Sequence, residues 1–98
     1  MKKVLQNNLK TRNYFASLPT LYVVCRWAGY GVREYPYSKK NTKEGIPLVY
    51  DYYDGNGTCD EYRLISLQYI TTGSIVCWTF SKQYANMICD SLNKEQTI

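Results

Sequence analysis

The segment that most constrains the fold is Asp54-Gly55-Asn56-Gly57, which contains both Asp-Gly and Asn-Gly. These dipeptides favour a type I′ turn, because both central residues of that turn need positive φ. Residues 48–53 before the turn and residues 61–70 after it are rich in Tyr, Val, Ile and Leu. The sequence therefore predicts a β-hairpin and, with it, an antiparallel sheet.

Period-two alternation predicts further strands on both sides of this hairpin. Residues 21–27 alternate, and residues 28–31 predict a turn into a second strand over 32–37. Pro36 places that second strand at a sheet edge or lies near the strand's own end, and an edge strand could pair two copies of the chain. Residues 38–45 predict an exposed, lysine-rich loop, and residues 75–80 predict the last strand. In the first strand one face holds Leu21, Val23, Cys25 and Trp27.

The end of the chain predicts an amphipathic helix over residues 82–93. Ser81 is a favourable N-cap, and Tyr84, Ala85, Ile88 and Leu92 recur at helical spacing. The beginning is open to two interpretations, because residues 1–19 suit either a short helix or a flexible basic arm.

Together these elements predict an α+β fold. We expect an antiparallel β-sheet of about four to five strands packed on one C-terminal α-helix, with a basic N-terminal arm or short helix. A chain of 98 residues has the length of one domain. We therefore expect a single domain over 1–98, with the sheet and helix in 20–93.

Charge is unevenly distributed along the sequence. Residues 1–43 hold nine Lys or Arg and one acid, Glu34, whereas residues 44–98 hold three bases and seven acids. The two parts have net charges of +8 and −4, which give the overall +4. Segregated charge of this kind describes how surfaces meet partners.

The start of the sequence shows no apolar stretch typical of a signal peptide, and no segment approaches the roughly 18–20 apolar residues of a membrane-spanning helix. We expect a soluble, cytoplasmic protein without membrane contact. In the reducing cytosol Cys25, Cys59, Cys77 and Cys89 are then expected to be free thiols.

Several classes of chemistry are disfavoured. The chain has no histidine, which is the residue that acid–base catalysis near neutral pH most often uses. The acidic cluster around 54–57 invites a calcium site, but Cys59 and Ile65 stand where an EF-hand loop needs glycine and glutamate. We expect a non-enzyme with no catalytic residues, no metal and no cofactor.

One candidate interface is the acidic, tyrosine-rich hairpin. Tyrosine beside carboxylate combines a rigid anchor with a negative field, which suits a basic surface on a protein partner. The alternative is that Tyr50 and Tyr52 simply fill the core while Asp51 and Tyr53 face water. The predicted protein-binding residues are Asp51, Tyr53, Asp54, Asp60, Glu61 and Tyr62.

A second candidate interface is basic and suits nucleic acid. Its arginines and lysines can meet phosphates, and the interleaved tyrosines offer faces on which bases stack. The predicted nucleic-acid-binding residues are Arg26, Arg33, Tyr35, Tyr37, Lys39, Lys40 and Lys43.

The C-terminal run from Trp78 to Ala85, closing on Ser91-Leu92-Asn93, resembles the strand-then-helix ending of short accessory proteins of phages and mobile elements. Anti-CRISPR inhibitors are one class among these proteins. The resemblance covers about the last twenty residues and implies a protein that acts stoichiometrically.

The favoured hypothesis is thus a non-catalytic binding protein, an inhibitor from a phage or mobile element that engages a nucleic-acid-handling host protein, as anti-CRISPR proteins do. The alternative is a direct nucleic-acid-binding module that uses the basic N-terminal half, and the third is a small enzyme. We expect either a monomer or a homodimer formed through an edge strand.

Overall fold

The computed structural model describes residues 4–53, 61–70 and 73–95. Within these residues the fold is α+β, with six strands and two α-helices; residues Leu67–Tyr69 form a short 3-10 turn. The strands follow the order β1-β5-β4-β3-β2-β6 in the sheet. In chain order the elements are β1 (Val4–Gln6), α1 (Leu9–Ala16), β2 (Thr20–Arg26), β3 (Tyr30–Asn41), β4 (Pro47–Tyr53), β5 (Glu61–Ser66), β6 (Ser74–Thr79) and α2 (Lys82–Glu95).

The predicted class is confirmed, since the sheet is antiparallel and helix α2 packs on it. The sheet has more strands than expected. The N-terminal segment adds strand β1 and helix α1, so it is not an arm over residues 4–16. Asn8 caps α1, because its side-chain Oδ1 accepts a hydrogen bond from the backbone N–H of Thr11 at 2.9 Å.

The predicted edge position of residues 32–37 is wrong. They belong to β3, which lies between β4 and β2 in the strand order. The predicted loop over 38–45 is also too long, since β3 continues to Asn41.

Contacts divide the chain into two compact units. Unit 1 comprises residues 1–19 and 36–70, and unit 2 comprises residues 20–35 and 71–98. Strand β3 contributes residues to both units.

In unit 1, rings of helix α1 pack on one face of the β4–β5 pair. In the antiparallel register, Tyr52 lies opposite Tyr62 and Tyr50 lies opposite Leu64. The turn of this predicted hairpin falls outside the described residues, but the pairing that it implies is present. Val49, on the other face of β4, is fully buried.

Unit 1 also contains an irregular pairing between β3 and β4. Tyr37 pairs with Val49 and Asn41 pairs with Pro47, so residues 38–40 lie opposite the single residue Leu48. The Ser38 hydroxyl donates to the Leu48 carbonyl at 2.7 Å and accepts from the Lys40 backbone N–H at 3.2 Å. We call residues 38–40 the basic bulge, because it exposes Lys39 and Lys40.

Unit 2 packs helix α2 on the β2–β6 pair. Its core cluster is Val24 of β2 with Ala85 and Cys89 of α2, and Cys77 of β6 packs against it. The helix begins as predicted, because the Ser81 Oγ accepts from the Tyr84 backbone N–H at 3.1 Å. Ala85, Ile88 and Leu92 of the predicted stripe belong to or pack against this cluster, whereas Tyr84 is 57% exposed.

Candidate functional site

The acidic hairpin does not present its predicted residues on one face. Tyr53 pairs with Glu61 and Asp51 pairs with Arg63 in the register of β4 and β5. Tyr62 points to the opposite face, since neighbouring residues of a strand alternate. Asp54 and Asp60 lie outside the described residues. Asp51 and Glu61 thus share a strand face, and Tyr62 belongs to another environment.

That environment is an aromatic cluster. The Tyr52 and Tyr62 rings are stacked with centroids 4.5 Å apart, and the Phe15 ring meets Tyr62 edge-on at 4.8 Å. Phe15 also lies 5.0 Å from the Tyr50 ring, and the Tyr14 and Tyr50 hydroxyls are 3.4 Å apart. Five aromatic rings therefore join α1 to β4 and β5.

Two tyrosines of the cluster have a raised pKa. Burial raises the pKa of Tyr50 to about 12, with the Tyr14 hydroxyl adding to the effect. Burial, together with the neighbouring Tyr52, also raises the pKa of Tyr62. A tyrosine base or nucleophile would need the opposite shift. These rings hold α1 in place, and nothing in their geometry prepares them for catalysis.

The predicted basic surface is divided between the two units. Arg26, Arg33 and Tyr35 belong to unit 2. Tyr35 is only 7% exposed, which leaves little of its ring for stacking. The residues of this set that lie in unit 1 are Tyr37, Lys39, Lys40 and Lys43.

Lys39, Lys40 and Lys43 are all exposed. Two of them project from the basic bulge, where Lys39 has a positive φ of 67°. Tyr37 is half-buried, and its hydroxyl donates to the Asn41 side-chain oxygen at 2.6 Å. The bulge therefore displays positive charge without an accompanying free aromatic face.

A surface that sequence reasoning missed lies on strand β6. In the strand order β6 stands at one end, with β2 as its neighbour among the described residues. Cys77 faces helix α2, whereas Val76 and Trp78 are 46% and 44% exposed and Phe80, just after the strand, is 54% exposed. We call Val76, Trp78 and Phe80 the β6 apolar face.

Strand β6 has a bulge, but it has no charged residue and no proline to limit pairing with another chain. Edge strands in soluble proteins usually bear charges, proline or bulges that prevent contact with other chains. Here a register shift places Val76 as an extra residue between the pairs Val24–Cys77 and Cys25–Ile75. The sequence signal was available, because residues 64–81 contain no Asp, Glu, Lys or Arg.

The turn between β2 and β3 lies where residues 28–31 predicted it, but the exposure of Trp27 beside it was not predicted. Trp27 follows the alternating strand, yet it is 68% exposed. Its backbone N–H donates to the Gly29 carbonyl at 2.8 Å. Ala28 has a φ of 54° and Gly29 a φ of 126°. Left-handed backbone at alanine costs roughly 1 kcal/mol, so this turn is held in place by its surroundings.

Two contacts hold the turn. The Asn93 carboxamide of α2 accepts from the Tyr30 backbone N–H and donates to the Tyr30 carbonyl, both at 3.0 Å. Gly73 lies directly against the end of β2, where an added Cβ would come within 2.2 Å of the Arg26 carbonyl oxygen. Any side chain at Gly73 therefore displaces the turn.

Cysteine and metal chemistry give no further site in the described part of the chain. Cys25, Cys77 and Cys89 are free thiols, and burial, followed by the nearby Asp90, raises the pKa of Cys89. Cys59 falls outside that part. Within residues 4–53, 61–70 and 73–95 no three His, Cys, Asp or Glu side chains are grouped as metal ligands. Neither described helix has the length and apolar character needed to cross a bilayer.

Comparisons with known proteins add no relative: no protein-family model, curated protein or solved structure matches this chain.

Proposed function

We propose that this chain is a non-catalytic binding protein that engages a protein partner, and that its narrower role is to inhibit a nucleic-acid-handling host protein. The observation that supports binding is the β6 apolar face. Two large exposed side chains, Trp78 and Phe80, stand on or beside a terminal strand that has no charged residue. Exposed apolar groups of this kind on small soluble proteins are typical of interaction surfaces.

The mode of binding that fits this strand is β-augmentation. An extended segment of a partner pairs with a strand at the end of a sheet through main-chain hydrogen bonds, and its side chains meet those of the strand. Trp78 then serves as the buried anchor, because tryptophan is the residue most enriched among strong interface contacts.

The narrower role depends on charge and on the sequence resemblance. A protein that handles nucleic acid has a basic surface, which the carboxylates Asp51 and Glu61, with Asp54 and Asp60, are suited to attract. In this proposal the acids speed the encounter, and the β6 apolar face supplies affinity. The inhibitor acts at a one-to-one ratio and performs no chemistry.

The test is capture from a nuclease-treated bacterial lysate with the immobilised wild-type chain and three immobilised variants. Wild type and Met87→Lys, an exposed control on α2, should retain the same nucleic-acid-handling protein. Val76→Lys/Trp78→Lys should lose it by at least tenfold, and reversal of the four acids should slow its association. Purified chain should then stop the captured protein's activity at equimolar concentration.

Two results would contradict the proposal. One is capture that survives both sets of substitutions, because neither surface would then be used. The other is a captured protein that neither binds nor processes nucleic acid.

A second candidate function is direct binding of nucleic acid, and the basic bulge favours it. Lys39 and Lys40 project from the bulge and Lys43 follows in the next turn, all exposed. Replacing these three with Gln should abolish binding to labelled oligonucleotides if this function holds. The same change should leave capture of the protein partner intact.

A further inference from the structure

The β2–β3 turn contains a cavity of about 420 Å³, lined by Cys25 and residues 27–33. We call it the turn cavity. Its volume lies within the range of small-ligand sites, which begins near 300 Å³. All its lining residues belong to unit 2, so it is formed by one local segment.

The side chains at this cavity combine an aromatic face with positive charge. Trp27 exposes 68% of its surface, and Arg33 lines the cavity and is itself exposed. The Arg26 guanidinium lies 5.8 Å from the centroid of the Tyr30 ring, a cation–π arrangement that keeps the cation beside the turn. Glu34 does not line the cavity.

The turn is also preorganised, which reduces the entropy that binding must overcome. The Asn93 carboxamide fixes the Tyr30 backbone with two hydrogen bonds. Ala28 and Gly29 hold positive φ on either side of the turn's tip. Strained backbone is found more often at ligand sites than elsewhere.

We propose that the turn cavity binds one nucleotide of a single-stranded nucleic acid, with the base stacked on the Trp27 indole and a phosphate held by Arg33. This inference rests on the second of the two proposed functions and adds a base-binding site to it. An indole stacks on every base, whereas guanidinium groups pair with phosphate through two parallel hydrogen bonds. Arg26 supplies a second positive charge for the neighbouring phosphate.

Fluorescence of Trp27 reads this site directly. The chain has two tryptophans, so Trp78→Phe leaves Trp27 as the only indole. An unstructured oligothymidylate of about ten nucleotides, within the usual footprint of such sites, is the probe. We expect saturable quenching with the same midpoint as anisotropy of the labelled oligonucleotide.

Substitutions then distinguish oligonucleotide binding at the turn cavity from binding elsewhere on the basic surface. Trp27→Ala should weaken oligonucleotide binding about tenfold, the loss of one stacked base. Arg33→Gln should weaken it and lower the slope of log affinity against log salt by about one, the loss of one phosphate contact. Tyr84→Ala and Lys82→Gln, exposed aromatic and basic controls on α2, should change neither quantity.

The outcomes distinguish failure of the turn cavity as a site from failure of nucleic-acid binding altogether. Binding without quenching, and with unchanged affinity in Trp27→Ala, would overturn the turn cavity while leaving nucleic-acid binding to the basic bulge. Absence of oligonucleotide binding at low salt would overturn both. Shielding of Trp27 in the captured protein complex, without any effect of oligonucleotide, would assign the turn to the protein partner instead.

Discussion

Helix α1 of unit 1 and helix α2 of unit 2 are fixed to their strands by different chemistry. Helix α2 buries small side chains, Ala85 and Cys89, against Val24. Helix α1 buries Thr11 alone and reaches its strands through the rings of Tyr14 and Phe15. A helix that packs closely on a sheet has a regular stripe of small or apolar residues in its sequence. A helix that is held by two large aromatic side chains near its C-terminal end does not need such a stripe.

This difference teaches where pattern reasoning is dependable. The buried residues of α2, Ala85 and Cys89, are four positions apart, so the spacing of its packed face is visible in the sequence. The eight residues of α1 are too few to form a stable helix on their own. The helix therefore depends on contacts with residues far along the chain. The two units therefore differ in how much of their stability depends on aromatic rings.

The largest expected effect is the loss of Phe15. Phe15→Ala should lower the free energy of unfolding by about 3 kcal/mol, because it removes the ring that contacts both Tyr50 and Tyr62. The chain's other phenylalanine, Phe80, is exposed, so Phe80→Ala should cost less than about 1 kcal/mol. Urea titration measures both values. Equal losses would show that α1 is not held by its aromatic contacts.

A smaller effect is expected in unit 2, at the amide that fastens the turn. Asn93→Ala should cost about 2 kcal/mol, since it leaves the half-buried Tyr30 N–H and C=O without their partner. Asn86→Ala, at an exposed position of the same helix, is the matched control and should change little. Hydrogen exchange of the Tyr30 amide should accelerate in Asn93→Ala alone, and unchanged exchange would contradict the role given to Asn93.

The smallest effect is the pH dependence of stability that Tyr50 of unit 1 contributes. Burial raises the pKa of Tyr50 from 10.0 to about 12, so the folded state holds a proton that the unfolded state releases. The corresponding stability is complete below pH 10 and is lost as the pH rises towards 12. At pH 11 the loss is about 1.4 kcal/mol.

Urea midpoints at pH 9 and pH 11 test this dependence. The difference should shrink in Tyr50→Phe, which has no proton to release, and should persist in Tyr69→Phe, an exposed control. An unchanged difference in Tyr50→Phe would remove Tyr50 as its source.

Sequence reasoning anticipated the β4–β5 pairing, helix α2 and its Ser81 cap, because each depends on neighbours within a few residues. It did not anticipate that residues 32–37 lie inside the sheet, since strand order is set by long-range pairing. It also placed Trp27 in a strand pattern, whereas the positive φ of Ala28 ends that pattern. The predicted acidic and basic residues were identified by charge, which does not reveal the face on which each lies.

By itself, the sequence determined the class of the fold, the direction of its strand pairing and the uneven distribution of charge. These properties follow from side-chain periodicity and turn chemistry, which are local. Only the tertiary structure decided that β6 ends the strand order, that Asn93 fastens the turn sixty-three residues away, and that Trp27 and Trp78 remain exposed. Such features depend on which distant segments meet, and contacts between distant residues leave no period in the chain.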